Sequence, residues 1–406
     1  MTYYHLFEYL KKNINCETEH IDLNSVELFN CKFESQNAGI LPGAENHYCK
    51  QHNLHFRVAD QYLENVGIDD VSLHIPDSVV ESNKKFIYHI FKSKTGKKSN
   101  GAILLLHGFN EKYWDKYYPW AYTLAEATGK SVILFPIAFH MNRAPGDWTE
   151  KKNMFKLSEE RKEHYPNVVG SSLSNVAISV RLHSMPQRFI WSGLQSYYDI
   201  IQLITEIKEG KNRVIDKDAS IDFFCYSIGA LLAEVILLSN YNGYFDNSKL
   251  CIFCGGAVFN RLSPVSKFIL DSEANVALYS YLVEHIEMHK KNYERLNHYL
   301  HQDHPEGFNL YCMLDYKNLR DYREEKFSQL DKQILAIALK QDKVVPAYEI
   351  INTLQGAARE IDITVEIYDF DYPYSHENPF PPNPKIADAI NKGYEKVFTR
   401  AVSFLE

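Results

Sequence analysis

The chain has 406 residues, of which 45% are hydrophobic and 24% charged, and its net charge is −8. These fractions are ordinary for a soluble globular protein, and the length allows one large domain or two. Because the acidic excess is spread along the sequence, it argues against a surface that binds nucleic acid.

The N-terminus carries no basic start followed by an apolar core, so we expect no signal peptide. No apolar run approaches the roughly 20 residues that a membrane span requires. The seven cysteines are odd in number and scattered, which does not fit a disulfide framework. Cys251 and Cys254 have the spacing of a redox or metal motif, but they lie in an apolar strand without a second pair and are expected to be buried thiols. We therefore expect a cytoplasmic protein.

Residues 1–70 are polar and poorly periodic, and they are expected to form a helix followed by irregular structure, as an N-terminal extension. From residue 71 onward, short apolar runs alternate with segments of helical length. The predicted strands are 71–75, 85–91, 102–106, 131–137, 221–224, 250–254, 333–339 and 365–369. The predicted helices are 115–128, 187–208, 230–238, 347–355 and 385–404.

This alternation predicts an α/β protein with a doubly wound, mostly parallel sheet that is covered by helices on both faces. The first two strands are expected to form an antiparallel edge. Residues 257–330 interrupt the alternation with several predicted helices and are interpreted as an insertion. The sheet and its helices then comprise residues 71–256 and 331–406.

The central stretch of the sequence is 221–239, where a short buried strand becomes an apolar helix with no room for a loop between them. The turn reads Cys225-Tyr226-Ser227-Ile228-Gly229. Such a turn must bend sharply, as in the G-x-S-x-G nucleophile elbow, which pushes its serine above the sheet. Ser227 takes that position and Gly229 lets the helix pack closely, while Cys225 replaces the first glycine of the motif. The alternative is a serine that only caps the helix.

A serine hydroxyl needs a base to take its proton, and the base needs an acid to orient it. On a doubly wound sheet these groups lie at the carboxyl ends of the strands. Asp342 follows the strand 333–339, and His376 follows the strand 365–369. Taken singly, Asp342 could be a helix cap and His376 a surface residue. The order serine, aspartate, histidine is nevertheless the order that the elbow fold requires.

Two backbone amides are predicted to form an oxyanion hole for acyl chemistry. One is the N–H of Ile228, which follows the serine at the start of the elbow helix. The other is the N–H of Phe109, in the loop after the strand 102–106. The side chain of Asn110 is a further candidate for substrate contact. Arg143 lies in a loop at a strand end and could meet an anionic group of the substrate, with an ordinary surface arginine as the alternative.

Over residues 71–404 the chain resembles the α/β-hydrolase superfamily, and more narrowly a little-characterised bacterial branch of it. The matching motifs are His107-Gly108-Phe109, Cys225-Tyr-Ser-Ile-Gly229, Asp342-Lys-Val-Val-Pro346 and His376. In that superfamily an insertion at the position of 257–330 often forms a lid. The resemblance therefore implies a helical cap over the site.

The resemblance implies a serine hydrolase that cleaves an ester or related acyl bond of a small molecule through an acyl-enzyme. Ser227 would be the nucleophile, His376 the base and Asp342 the orienting acid. No cofactor is expected. Two alternatives stay open, an acyltransferase that uses the same triad and a non-catalytic binding protein that kept the fold.

No metal site is predicted. Three groups of histidines are close in sequence, namely His47, His52 and His55, then His285 and His289, and then His298, His301 and His304. None of these groups has a cysteine or carboxylate at the spacing of a metal motif, so we expect the side chains to face solvent or the cap. The sequence also lacks a Walker A motif and a G-x-G-x-x-G motif, so nucleotide binding is not expected.

Overall fold

The computed structural model describes residues 1–56, 75–94 and 96–406. Its strands are β1 (His20–Leu23), β2 (Val26–Glu34), β3 (His47–Cys49), β4 (Leu54–Phe56), β5 (Lys85–Ser93), β6 (Ser99–Leu106), β7 (Ser131–Leu134), β8 (Ile215–Tyr226), β9 (Leu250–Phe253), β10 (Ile334–Leu339) and β11 (Thr364–Tyr368). Nine of them form one sheet in the order β1-β2-β5-β7-β6-β8-β9-β10-β11, while β3 and β4 form a separate hairpin.

The sheet has an antiparallel part and a parallel part. β1, β2, β5 and β7 are paired antiparallel, and the six strands from β7 to β11 in the sheet order are paired parallel. This order, with a sharp turn after β8, is that of the α/β-hydrolase fold. The predicted fold class is therefore confirmed.

The helices cover both faces of the sheet. They are α1 (Tyr3–Asn13), α2 (Glu81–Lys84), α3 (Tyr117–Thr128), α4 (Lys151–His164), α5 (Val176–Ser184), α6 (Arg188–Lys208), α7 (Ile228–Ser239), α8 (Ser272–Tyr279), α9 (Ile286–Asn292), α10 (Glu294–Tyr299), α11 (Pro305–Cys312), α12 (Arg320–Ser328), α13 (Ala347–Leu354) and α14 (Ala387–Leu405). In β6, Ile103 and Leu105 pack into the core under α1, α3 and α14. Leu104 and Leu106 pack into the opposite core, with α6 and α7. Alternate residues of one strand thus bury both faces.

The N-terminal segment is more than an extension. Helix α1 is present as expected, but residues 20–34 supply β1 and β2, the antiparallel edge of the sheet. The alternation of apolar runs predicts a sheet that begins at residue 71, and this boundary is wrong. The alternation of β2 is hidden because a polar residue, Asn30, occupies a buried position, where its side-chain oxygen bonds Nδ1 of His89 at 2.6 Å. The predicted strand at 71–75 lies, except for its last residue, outside the described residues.

Two segments add helices on the carboxyl-end side of the sheet. Residues 150–186, for which no sheet element was expected, form α4 and α5. The insertion at 257–330 forms α8 to α12, and its first helix packs against α5. Within the three described ranges, no helix combines the length and the apolar character needed to cross a bilayer.

Candidate active site

Ser227 occupies a sharp turn between β8 and α7. Its backbone has φ +57° and ψ −124°, a conformation that non-glycine residues rarely adopt and that is typical of functional sites. A Cβ on Gly229 would lie 2.7 Å from the carbonyl oxygen of Leu106, so only glycine lets α7 pack this closely on the sheet. Cys225, at the position of the missing glycine, has its side chain fully buried in the core. The predicted elbow geometry is present despite the cysteine.

The side chains of Ser227, His376 and Asp342 form a hydrogen-bonded chain. Oγ of Ser227 lies 2.7 Å from Nε2 of His376, and Nδ1 of His376 lies 2.7 Å from Oδ2 of Asp342. The carboxylate accepts a hydrogen bond from Nδ1–H, so the lone pair of Nε2 faces the serine hydroxyl. The imidazole and the carboxylate are both buried, and the ring of His376 stacks on Tyr226 with centroids 5.4 Å apart. The structure brings the three predicted residues together.

Asp342 is held by the backbone as well. Its Oδ1 accepts the N–H groups of Val344 and Val345, each at 2.9 Å. The turn after β10 is therefore closed by one carboxylate oxygen while the other faces the imidazole. Asp342 thus bonds the backbone as a capping residue does and also orients the histidine.

The loop after β6 is fixed by the buried side chain of His107. Its Nε2 accepts the N–H of Ile137 at 2.9 Å, and its Nδ1 donates to the carbonyl of Gly108 at 2.7 Å. Burial, with a smaller contribution from the nearby ring of His140, lowers the pKa of His107 well below its usual value. A neutral ring with one donor and one acceptor matches both bonds. His107 therefore positions the peptide that leads to Phe109.

The two predicted oxyanion donors border the same cleft as Ser227. Among the residues that the structure describes, the N–H groups of Phe109 and Ile228 have no hydrogen-bond partner. The N–H of Ile228 precedes the internal bonds of α7, as expected for a first helical residue. Both amides are thus available to an oxygen atom that a ligand places beside Ser227.

Two predicted substrate contacts are wrong. The guanidinium of Arg143 is fully buried, pairs with Asp199 at 2.7 Å and donates to the side chain and carbonyl of Asn83. It holds the 139–148 loop to α6 and does not reach the cleft. Asn110 donates both amide hydrogens to backbone carbonyls, of Ser174 at 2.9 Å and of Phe268 at 2.6 Å. Its amide joins two loops and is occupied.

The cleft beside Ser227 is narrow and apolar. It contains about 570 Å³ of space, its open mouth included, and every lining side chain except that of Ser227 is apolar. The lining residues are Phe109, Phe189, Ser227, Ile228, Leu231, Gly255, Gly256, Ala257, Phe259, Leu262, Pro264, Ile269, Leu270, Leu278, Val344 and Val345. A second cavity of similar size lies against α6 and shares Phe109, Phe189, Ile228 and Leu231 with the first. Phe109 and Phe189 therefore stand between two apolar spaces.

Two segments that are distant in sequence, 150–186 and the start of the insertion, are joined by buried polar contacts. Arg161 of α4 pairs with Asp271, just before α8, through bonds of 2.5 and 2.8 Å, and both groups are buried. Asn175 donates to the carbonyl of Ser266 at 2.8 Å, and the N–H of Asp271 donates to Ser179 at 3.1 Å. The insertion lines the cleft only with residues from 257–278. That the whole of 257–330 acts as a lid stays a prediction.

The expectations for two other sets of titratable residues, the cysteines at 251 and 254 and the clustered histidines, have different outcomes. Cys251 and Cys254 are buried free thiols as predicted, and burial raises the pKa of both. His52 is exposed as expected, whereas His304 is buried and His298 half-buried, and the three rings lie together around Cys49. No local sequence pattern joins all four residues, because they come from two segments about 250 residues apart.

The fold and the geometry around Ser227 define an α/β-hydrolase-fold protein. A family model described as "Family of unknown function (DUF6051)" matches residues 1–406, and the chain belongs to that family. No curated protein matches the chain.

Several solved structures of esterases are similar in architecture. A mutant of esterase Est22 has a TM-score of 0.47 at 10% identity, and the match covers 99% of this chain and 85% of the Est22 chain. Carboxyl esterase 2 from Tuber melanosporum has a TM-score of 0.44 at 9% identity, and the match covers 79% of this chain and 81% of the esterase. A thermostable esterase from Pseudomonas putida has a TM-score of 0.41 at 10% identity, and the match covers 99% of this chain and 89% of the esterase. At these identities and scores the matches carry no conclusion about the reaction of this chain.

Proposed function

We propose that the protein is a serine hydrolase that cleaves esters of apolar carboxylic acids through an acyl-enzyme. The observation that carries this proposal is the pair of 2.7 Å contacts that link Ser227, His376 and Asp342 at the edge of an apolar cleft. A serine that bonds an imidazole whose other nitrogen bonds a buried carboxylate is the arrangement that activates a hydroxyl for attack.

In the first half-reaction, Oγ of Ser227 attacks the acyl carbon while its proton passes to Nε2 of His376. Asp342 keeps the proton on Nδ1 and stabilises the imidazolium that forms. The oxyanion accepts the N–H groups of Ile228 and Phe109. His376 then gives its proton to the leaving oxygen, so that an alcohol departs and the acyl group stays on the serine.

In the second half-reaction, a water molecule gives a proton to Nε2 of His376 and attacks the acyl carbon. The same amides hold the oxyanion, and the bond from carbon to Oγ breaks as the proton returns to Ser227. A carboxylic acid is released and the enzyme is restored. The three side chains and two amides suffice for each step.

The cleft favours an apolar acyl group over a charged one. Phe189, Leu231 and Leu278 line it, and no charged side chain is among the residues that border it. Burying a charge there without a partner would cost several kcal/mol. We therefore assign the cleft to the acyl chain of a carboxylic ester.

The test is the hydrolysis of p-nitrophenyl esters by the wild-type chain and by Ser227→Ala. Turnover should fall by about 10⁴–10⁶ in the variant. Ser263→Ala is the matched control, because Ser263 is exposed and lies between two residues that line the cleft. Circular dichroism verifies that both variants are folded. A wild type that hydrolyses no activated ester, or a folded Ser227→Ala that keeps its rate, would refute the proposal.

A further inference from the structure

Four potential metal ligands converge beside α6, where the N-terminal hairpin meets the insertion. Cys49 ends β3 and His52 lies in the turn before β4, while His298 belongs to α10 and His304 precedes α11. One ligand atom from each residue lies within 4.8 Å of all the others. The thiol and the imidazole of His304 are buried, His298 is half-buried and His52 is exposed. The set is one cysteine and three histidines.

Four of the six separations between the ligand atoms are close to those of a tetrahedral coordination shell. Nε2 of His304 lies 2.9 Å from Nε2 of His298 and 3.1 Å from Nδ1 of His52. Sγ of Cys49 lies 3.5 Å from Nε2 of His304 and 3.6 Å from Nδ1 of His52. Zinc bonds of 2.0–2.1 Å to nitrogen and 2.3 Å to sulfur place tetrahedral ligand atoms about 3.3–3.6 Å apart. The four atoms need only small shifts to enclose such an ion.

Hydrogen bonds alone do not account for this arrangement. Nδ1 of His304 lies 2.9 Å from a carboxylate oxygen of Glu306, which also accepts the hydroxyl of Tyr198. The proton of His304 is therefore on Nδ1, and Nε2 carries a single lone pair. That lone pair is approached by two imidazole nitrogens and one sulfur, whereas one hydrogen bond satisfies it. A cation at the centre would engage all four lone pairs at once.

Glu306 has the role that carboxylates have behind metal-bound histidines. Such a carboxylate fixes the tautomer and the orientation of the ring, and it raises the basicity of the ligating nitrogen. Tyr198 belongs to α6, so the carboxylate is itself anchored to a helix of the main fold. The rings of Phe56 and Tyr299 pack on His298 with centroids 5.0 and 5.4 Å away and give the site an aromatic wall.

We propose that Cys49, His52, His298 and His304 bind one Zn²⁺ ion in a structural site. One thiolate with three imidazoles in tetrahedral array is a donor set that suits zinc. Binding releases the thiol proton of Cys49, since the thiolate is the ligand. Four protein ligands leave no open position, so the ion ties the β3–β4 hairpin to the insertion and does not act on a substrate.

The full-length protein, expressed in zinc-supplemented medium and dialysed against metal-free buffer, provides the test. Elemental analysis should find about one zinc per chain. After zinc removal, titration with Co²⁺ should give the intense visible d–d bands of a tetrahedral site and a sulfur-to-cobalt charge-transfer band. The charge-transfer band should be absent in Cys49→Ser. Circular dichroism of the metal-free protein shows whether each sample is folded.

A matched pair of variants on one hairpin separates ligation from folding. His52 and His55 are both exposed, so replacing either residue removes little packing. His52→Ala should release zinc to a chelator that wild type resists, with affinity reduced at least by the roughly 10–100-fold that loss of an outer partner costs. His55→Ala should retain zinc. A folded wild type that binds neither zinc nor cobalt, a different metal at this stoichiometry, or equal retention by the two variants would overturn the assignment.

Discussion

The molecule contains two buried histidines that are set up in the same way and face different partners. Nδ1–H of His376 donates a hydrogen bond to Asp342 at 2.7 Å, and Nδ1–H of His304 donates one to Glu306 at 2.9 Å. In both, the carboxylate leaves the Nε2 lone pair directed at the centre of a site. Nε2 of His376 meets the hydroxyl of Ser227, whereas Nε2 of His304 meets three other potential ligand atoms.

The two sites differ in the number of polar atoms that surround the Nε2 lone pair of the histidine. A hydroxyl donates one hydrogen bond to one lone pair, and the result is a pair that can pass a proton. Two imidazoles and a thiol around one lone pair leave a cluster that a cation satisfies and a proton does not. We therefore propose that the same carboxylate–histidine unit supports proton transfer in one region and metal ligation in the other.

The largest effect should come from removing the histidine that faces a hydroxyl. His376→Ala should reduce ester turnover by about 10⁴–10⁶, because among the described residues no other base bonds the hydroxyl of Ser227. Steady-state kinetics on an activated ester measures the loss. His301→Ala is the control, since this histidine is exposed and should leave turnover near the wild-type value. Near-normal turnover by a folded His376→Ala would contradict the role of His376 as the base.

The orienting carboxylate should matter somewhat less than the base. Asp342→Asn should reduce turnover by about 10⁴, because an amide that donates to Nδ1 favours the tautomer whose Nε2 carries the proton. The rate should be measured beside Asp371→Asn, an exposed carboxylate of the same loop as His376. If both asparagine variants keep their turnover, Asp342 only caps the turn after β10.

Glu306, the carboxylate that bonds His304, should affect the affinity for zinc. Glu306→Gln should weaken zinc binding by about 10–100-fold, as is usual when the outer partner of a metal-bound histidine is lost. Competition with a chromophoric chelator measures the affinity. Glu294→Gln, on the solvent-exposed start of α10, is the control and should bind zinc as wild type does. Equal affinities in the two variants would leave Glu306 without a role at the cluster.

The smallest effect concerns the apolar cleft. Phe189 stands between the cleft of Ser227 and the cavity against α6, so Phe189→Ala should join the two spaces. The ratio of kcat/KM for long-chain to short-chain esters should rise by about tenfold, the order of magnitude that a few methylenes in an apolar pocket contribute. Phe155→Ala, an exposed phenylalanine of α4, should leave the ratio unchanged. An unaltered ratio in Phe189→Ala would place the acyl chain elsewhere.

The two clusters also differ in what the sequence reveals. Ser227, Asp342 and His376 each follow a strand of one parallel sheet, and parallel strands bring their carboxyl ends to one edge. Chain order and strand ends were therefore enough to predict that they meet. Cys49 and His304 belong to a hairpin and an insertion whose packing is decided by tertiary contacts. No periodicity in the sequence places those segments side by side.

The two side chains that were expected to contact substrate were also misplaced because tertiary contacts, and not local sequence, decide their partners. Arg143 lies in a loop at a strand end, where sequence predicts a cleft residue, but burial beside Asp199 gives it a structural role. Asn110 follows the predicted oxyanion donor, yet both its amide hydrogens bond backbone carbonyls, those of Ser174 and Phe268. Local position predicts which loop a side chain occupies. The partners within reach decide what the side chain does.

The most direct test of the central claim is to locate the nucleophile chemically. The full-length protein is treated with a fluorophosphonate, and the modified peptide is identified by mass spectrometry. We predict one adduct per chain, on Ser227, and none on Ser227→Ala. We also predict a strongly slowed reaction of Ser227 in His376→Ala. An adduct on another residue, or the absence of any adduct on an active and folded wild type, would contradict the proposed mechanism.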